Sequence, residues 1–250
     1  SGSAHSIVPL SVYRGQRVLY RAATGANSSG IMPGMGKIPG GVKRVFFDAV
    51  GTLLFPQPAV GVAYHQAGQR FGSQLSLEDV TRRFQQAFAA QEALDRELEY
   101  RTDEEREVQR WRAIVAEALP DVSDREGCFV HLWEHFASPR SWRAVGGLGE
   151  LFTTLRARGL ELGIASNFDR RLIGVVRHLP NLAELPVVVS SLLGWRKPAR
   201  GFFQSLVGWD EQPHEILHVG DDPENDYRGA RDAGLHALLI DANTQLSDLL

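Results

Sequence analysis

Asp48 stands where a short apolar run at 45–47 breaks off, and Gly51 and Thr52 open the loop beyond it. It is the first acidic residue of the chain. A carboxylate carried by a buried strand to the start of its loop is placed to act as a nucleophile, because open α/β sheets present their chemistry at strand ends. The plainer alternative is an aspartate that only turns the chain. Other groups bear on that choice. Ser166 and Asn167 follow the run 160–165, Lys197 and Pro198 follow 187–191 after a short loop, and Asp221, Asp222 and Asp226 follow 216–219. Carboxylates gathered at close range repel one another, so Asp48, Asp221, Asp222 and Asp226 together require a cation, and hard oxygen donors favour Mg²⁺. Ser166 and Asn167 offer short donors for anionic oxygens. Lys197 is one of only three lysines, and Lys37 and Lys43 both precede the end of the first strand. In a chain that takes nearly all its positive charge from arginine, this lysine reads as a compact ammonium placed for function. The competing reading is a surface lysine before a proline.

These groups converge only if the runs that carry them lie side by side. Apolar runs at 45–47, 160–165, 187–189, 216–219 and 237–240 are separated, from the second onward, by segments of helical period at 148–158, 170–178 and 225–233. Strands alternating with helices predict a parallel sheet with right-handed crossovers covered on both faces, a three-layer α/β core. The first connection breaks the rhythm, with more than a hundred residues between Asp48 and the run at 160. That stretch has no convincing strand from 60 to 142 and carries charged amphipathic segments at 77–100, 103–119 and 125–136. It reads as an all-helical insert over the carboxyl ends of the strands, where a lid excludes water and selects the substrate. The expected division is an arm at 1–41, a core of 42–59 and 143–250, and a helical cap at 60–142.

Composition narrows the function classes. A length of 250 residues suits a core plus an insert, and a net charge of −3 argues against a nucleic-acid partner. No apolar run approaches the length of a membrane helix, so a soluble, cytoplasmic protein is expected. Cys128 is the single cysteine, which excludes an internal disulfide and fits buried packing. Residues 1–41 hold Arg14, Arg17, Arg21 and Lys37 but no acid. An organelle-targeting segment, a vector-derived leader and a native arm all fit that composition, and weak alternation at 7–13 and 17–22 allows edge strands.

Taken in order, Asp48-Ala-Val-Gly-Thr52, Ser166-Asn167, Lys197-Pro198 and Gly220-Asp221-Asp222-Pro-Glu-Asn-Asp226 resemble the four motifs of the haloacid dehalogenase (HAD) hydrolase superfamily. The resemblance runs from 42 to 241. The insert's position resembles the helical C1 cap, and SNFDRRL with KPxxxFF resembles the REG-2-like, HDHD-type branch. What the resemblance implies is a three-layer Rossmann-like core, an aspartyl nucleophile at Asp48 and Mg²⁺ held by Asp48, the Val50 carbonyl and Asp221, with Asp222 or Asp226 direct or through water. It further implies phosphoryl oxygens held by Thr52, Ser166 and Asn167, and Lys197 bridging Asp48 and a small phosphorylated substrate.

One position departs from that pattern. Family phosphatases carry a second aspartate two residues after the nucleophile as acid and base, and here that residue is Val50. Loss of such catalysis costs about 10²- to 10⁴-fold. Three functions therefore stand: a phosphatase restricted to good leaving groups such as acyl or aryl phosphates, or using another acid such as His65 or Glu99; a 2-haloacid dehalogenase; and a binding module that has lost catalysis. A dehalogenase needs no metal, and the acid-rich segment 221–226 weighs against it. His131 and His135 have metal-ligand spacing but lack a third ligand. Trp111, Trp133 and Trp142 read as packing, and Gly146-Gly147 as a hinge.

Overall fold

The computed structural model describes residues 38–241 and 246–249. The arm at 1–41, with its alternating stretches, lies almost wholly outside the described residues. Strand β1 (Arg44–Phe47) leads to a short β2 (Leu54–Pro56), and four helices follow: α1 (Val60–Arg70), α2 (Leu77–Glu97), α3 (Glu104–Ala118) and α4 (Arg125–Ala137). The chain returns through β3 (Trp142–Ala144), α5 (Leu148–Ala157), β4 (Glu161–Ser166), α6 (Arg171–Val176), β5 (Val187–Val189), α7 (Ser190–Leu193) and α8 (Arg200–Gln204). It ends with β6 (Ile216–Gly220), a π-helical turn at Pro223–Arg228, α9 (Gly229–Asp232) and β7 (His236–Leu239).

Five strands form one parallel sheet in the order β5-β4-β1-β6-β7. Alternation along β1 shows why three layers result. Val45 and Phe47 join one cluster with Leu151 and Phe152 of α5 and Leu172 of α6, whereas Phe46 joins another with Phe202 and Phe203 of α8 and Ala230 of α9. The chain runs outward from β1 through β4 to β5 and then crosses back to β6 on the other side. Strand order thus reverses beside β1, which is where an open α/β sheet leaves a crevice at its carboxyl edge.

The four-helix insert has a core of its own, including Tyr64, Val80, Phe84, Ile114, Leu119 and Phe129. Polar caps fix three of its helix starts: Ser76 accepts from the Asp79 amide, Asp103 from that of Arg106 and Asp124 from that of Gly127. Its entry and exit are held together by antiparallel pairing of Leu54 with Ala144 and Pro56 with Trp142. That hairpin is absent from the sequence reading because its strands are three residues each, too short to show a period. The helix α7 takes up the end of the run expected at 187–191 and the start of the short loop after it, and the π-helical turn replaces the first part of the regular helix expected at 225–233. Among the described residues no helix is long and apolar enough to cross a membrane.

Candidate active site

The sheet's pairing continues one residue past β1, since the Asp48 amide donates to the Val219 carbonyl at 2.8 Å. The chain then turns sharply, with the Ala49 carbonyl accepting from the Leu53 and Leu54 amides. Gly51 adopts φ +98° in this turn, and a Cβ there would lie 2.4 Å from Asp221 Oδ2. Only glycine lets the first and the acidic strand-end loops approach so closely.

Lys197 is 3% exposed and its ammonium has three acceptors: Asp48 Oδ1 at 2.6 Å, Asp226 Oδ1 at 2.5 Å and the Ala165 carbonyl at 3.3 Å. Those bonds match the donor capacity of a lysine. Ser166 Oγ donates to Asp48 Oδ1 at 2.9 Å. Asp226 also accepts from the Asp222 amide at 3.0 Å, and His218 Nε2 lies 2.9 Å from its Oδ1. Although burial opposes ionisation, Lys197 and His218 hold Asp226 below the usual carboxylate range. An ionised Asp226 can only accept, so Nε2 of His218 carries the proton.

The other carboxylates behave in the opposite way. Burial, reinforced by Asp48 and Asp226, pushes Asp221 well above its ordinary value, and burial raises Asp48 despite Lys197. Asp48, Asp221 and Asp226 each offer an oxygen within 4.8 Å of the others, and among the described residues this is the cluster of potential ligands that closes. A buried, oxygen-only set with more negative than positive charge fits a hard divalent cation. Asp48 and Asp226 are in that set while also engaged by Lys197, so two groups tie the lysine to the acidic cluster.

Three expected ligands have other tasks here. Thr52 is fully buried and its hydroxyl donates to Asp221 Oδ1 at 3.0 Å, so it braces a carboxylate where a phosphate contact was expected. Asn167 uses both ends of its amide on the Lys197 backbone, accepting from its N–H at 2.7 Å and donating to its carbonyl at 3.0 Å. It positions the lysine loop. Asp222 caps the π-helical turn, with Oδ1 accepting from the Glu224 and Asn225 amides at 2.9 and 2.8 Å. Asp222 makes a local bond, to amides two and three residues on, whereas Thr52 and Asn167 reach loops distant in sequence that the sheet brings to the same edge.

Between the strand ends and the insert lies a cavity of about 120 Å³. Asp48, Val50, Ser166, Lys197, Asp221 and Asp226 contribute to its floor, and Tyr64, Phe84, Phe88, Trp111, Phe129 and Trp133 to its roof. Trp111, Trp133 and Trp142 do pack in ring contacts, and they also face this space. His65 and Glu99 do not line it, and Glu99 is exposed. Cys128 is buried in the insert, where burial pushes its thiol up to about 11. His131 and His135 belong to no closed group of potential ligands among the described residues. Gly146 and Gly147 link β3 to α5.

Arg196, next to the lysine, is 5% exposed and reaches into the insert, where it pairs with Glu107, with Asp95 at 3.2 Å and with Glu92 at 3.7 Å. Neither Arg196 nor His218 stood out in the sequence. His218 left one signal, a polar residue inside an otherwise apolar strand.

The residues 42–234 match the sequence model of a family described as a haloacid dehalogenase-like hydrolase. Haloacid dehalogenase-like hydrolase domain-containing protein 3 of Mus musculus is 30% identical over 80% of this chain and 82% of its own length. The Rhythmically expressed gene 2 protein of Drosophila melanogaster is 26% identical over 79% and 82%. Among solved structures, a dehalogenase with an intermediate complex superposes with a TM-score of 0.63 at 19% identity, covering 82% of this chain and 87% of its own. The HAD-hydrolase YfnB of Bacillus subtilis, bound to magnesium, gives 0.63 at 18%, covering 80% and 88%. The two structural likenesses show a shared fold.

Proposed function

The chain belongs to the haloacid dehalogenase-like hydrolase family, and from that membership we propose that it is a Mg²⁺-dependent phosphatase acting on a small phosphorylated substrate through Asp48. The observation that carries this reading is the buried cluster of Asp48, Asp221 and Asp226, three carboxylates with an oxygen each within 4.8 Å of the others, where Lys197 pairs with Asp48 and Asp226. Asp48, Asp221 and Asp226, with the Val50 carbonyl, would hold the metal. When bound, Mg²⁺ supplies positive charge that screens the nucleophile from an anionic substrate and stabilises charge on the phosphoryl group.

The residues divide the remaining work. Asp48 attacks phosphorus with the oxygen not held by Lys197 and Ser166, the P–O ester bond breaks, and the leaving oxygen takes the electron pair. Lys197 favours the ionised form of Asp48 against its burial and orients it, and its position at the cavity floor lets the ammonium face phosphoryl oxygens. Ser166 can turn its hydroxyl from Asp48 to the phosphoryl group. Water then cleaves the aspartyl-phosphate, returning Asp48 and releasing inorganic phosphate. Val50 faces the cavity and has no proton to give the leaving group. That same valine is compatible with displacement of halide from carbon, which needs no acid, but such a reaction has no use for the acidic cluster.

The test is phosphate release from acetyl phosphate, p-nitrophenyl phosphate and sugar and nucleotide phosphates, with Mg²⁺ and with chelator. Turnover that needs metal and disappears in Asp48→Asn is the expected result. Val50→Asp should gain about 10²- to 10⁴-fold on alkyl phosphates. Metal-independent chloride release from 2-chloropropionate would replace this reading with dehalogenation. Mg²⁺ binding without turnover, in both wild type and Val50→Asp, would replace it with a binding module.

A further inference from the structure

The cavity roof and the missing acid point to the same kind of leaving group. Tyr64, Phe84, Phe88, Trp111, Phe129 and Trp133 face the space above Asp48. Four charged side chains share that upper wall, and each is already held by protein. Arg171 is bound by Asp169 at 2.7 and 2.8 Å and donates to the Trp133 carbonyl at 3.0 Å, with its guanidinium 3.3 Å from the Trp133 ring centroid. Glu107 accepts from Thr102 at 2.9 Å and pairs with Arg196, and Glu92 pairs with Arg110 at 2.5 Å. A sugar or a second phosphate entering here would give up water for aromatic carbon and for charges that already have partners. An aromatic ring would be stabilised by the same surroundings.

Val50 restricts the chemistry independently. Without an acid, the departing oxygen must carry its own charge, and the cost follows the acidity of the alcohol. A phenol, with a pKa of about 10, leaves as phenoxide far more readily than an alkyl alcohol whose acidity is near that of water, about 15.7.

We propose that the substrates are monophosphate esters of neutral aromatic alcohols, the ring held under the aromatic roof and expelled as phenoxide when the P–O bond breaks. The electron pair stays on the phenolic oxygen, which takes a proton from solvent after release. This inference rests on the phosphatase reading and deepens it.

A four-member series separates the two requirements: 1-naphthyl phosphate has the ring and the leaving group, cyclohexyl phosphate only an apolar body, acetyl phosphate only the leaving group, and glucose 6-phosphate neither. With Mg²⁺, kcat/KM for 1-naphthyl phosphate should exceed that for glucose 6-phosphate and acetyl phosphate by about 10²-fold. Val50→Asp should raise cyclohexyl phosphate turnover by a factor at least about tenfold larger than its effect on 1-naphthyl phosphate, so that the ratio of the two rates falls by about 10-fold or more. Binding of 1-naphthyl phosphate and inorganic phosphate to Asp48→Asn, followed by calorimetry, adds a readout that turnover does not control. Tighter binding of the aryl ester is expected. Acetyl or glucose phosphate as the preferred substrate would overturn the aromatic inference and leave the phosphatase standing. No hydrolysis of any ester, with the aryl ester bound more tightly than phosphate, would overturn the phosphatase and keep the aromatic ligand class. No hydrolysis and no aryl preference would overturn both.

Discussion

Around Arg196 the buried charges balance, and around Lys197, the next residue, they do not. Glu92, Asp95 and Glu107 of the insert face Arg106, Arg110 and Arg196 in contacts that join α2, α3 and the loop after α7. At the sheet edge three carboxylates gather, and among the described residues Lys197 pairs with Asp48 and Asp226 while Asp221 stands beside them in the same cluster. Ionisation follows the balance. Glu107 is buried, yet Arg196 and Arg110 hold it below its ordinary value, while Asp221, equally buried, is pushed well above by burial and its acidic neighbours. A network with matched charges is complete as it stands and fixes how the insert sits on the core. A network with excess carboxylate is incomplete until positive charge arrives, which is what a metal-binding reaction centre needs and a structural joint does not.

The largest effect should come from Asp48→Asn. On the proposed reaction, turnover should fall on the order of 10⁴-fold or more, because the carboxylate assigned there to attack is gone. The same change removes one negative charge from the unbalanced cluster, so the chelator-treated protein should melt at a higher temperature than wild type. A variant both inactive and destabilised would mean that the cluster is not under repulsion.

Next come Lys197→Met and Arg196→Met, neighbours that strip a cation from the two networks. Each leaves buried carboxylates without their partner, a loss of about 3–5 kcal/mol in urea unfolding with chelator present. Mg²⁺ should restore part of the loss in Lys197→Met, where it can stand near the lysine's partners, and none beyond the wild-type gain in Arg196→Met. An equal response would erase the distinction between the networks.

The pH dependence should have opposite signs in the two places. Glu107, with its native pKa lowered, contributes stability that is present above its unfolded pKa and is lost as pH falls through the native value. Asp48 and Asp221, with native pKa values raised, bind more protons folded than unfolded, so the metal-free fold loses stability as pH rises from the ordinary carboxylate range through the native values. Mg²⁺ needs them ionised and should therefore raise the melting temperature more at pH 8 than at pH 5. Glu107→Gln should flatten the acid limb, and Asp221→Asn the fall on the other side. A Mg²⁺ shift that is the same at both pH values would remove Asp48 and Asp221 from the metal site.

How much of this the sequence discloses depends on the distance over which each feature is encoded. The strands at 44–47, 161–166 and 216–220 and helices α2 to α4 were legible, because their burial imposes a period on consecutive residues. The approach of Asp48, Ser166, Lys197 and Asp221 was legible too, since a parallel sheet delivers strand ends to one edge. Arg196 was not. Its partners lie some ninety to a hundred residues away, and on a helix an acid bound to a distant arginine looks the same as an acid bound to water. The partners of Thr52 and Asn167 were missed for a related reason: type and position name a donor, and only geometry names what it reaches.

Asp222 offers the finest test of that last point, because one side chain was assigned by type to the metal and by geometry to a turn. Its Oδ1 accepts the Glu224 and Asn225 amides, and among the described residues the closed ligand cluster is formed by Asp48, Asp221 and Asp226 without it. Asparagine retains a side-chain oxygen for the turn and removes the charge, so Asp222→Asn should change stability by no more than about 0.5 kcal/mol, whereas Asp222→Ala should cost about 1 kcal/mol. Mg²⁺ affinity measured by calorimetry should fall by no more than about 10- to 100-fold in Asp222→Asn, as for a group outside the ligand shell, and by more than that in Asp221→Asn. Equal losses in the two variants would put Asp222 on the metal, and the line between the acids that build the loop and those that bind the cation would have to be redrawn one residue along.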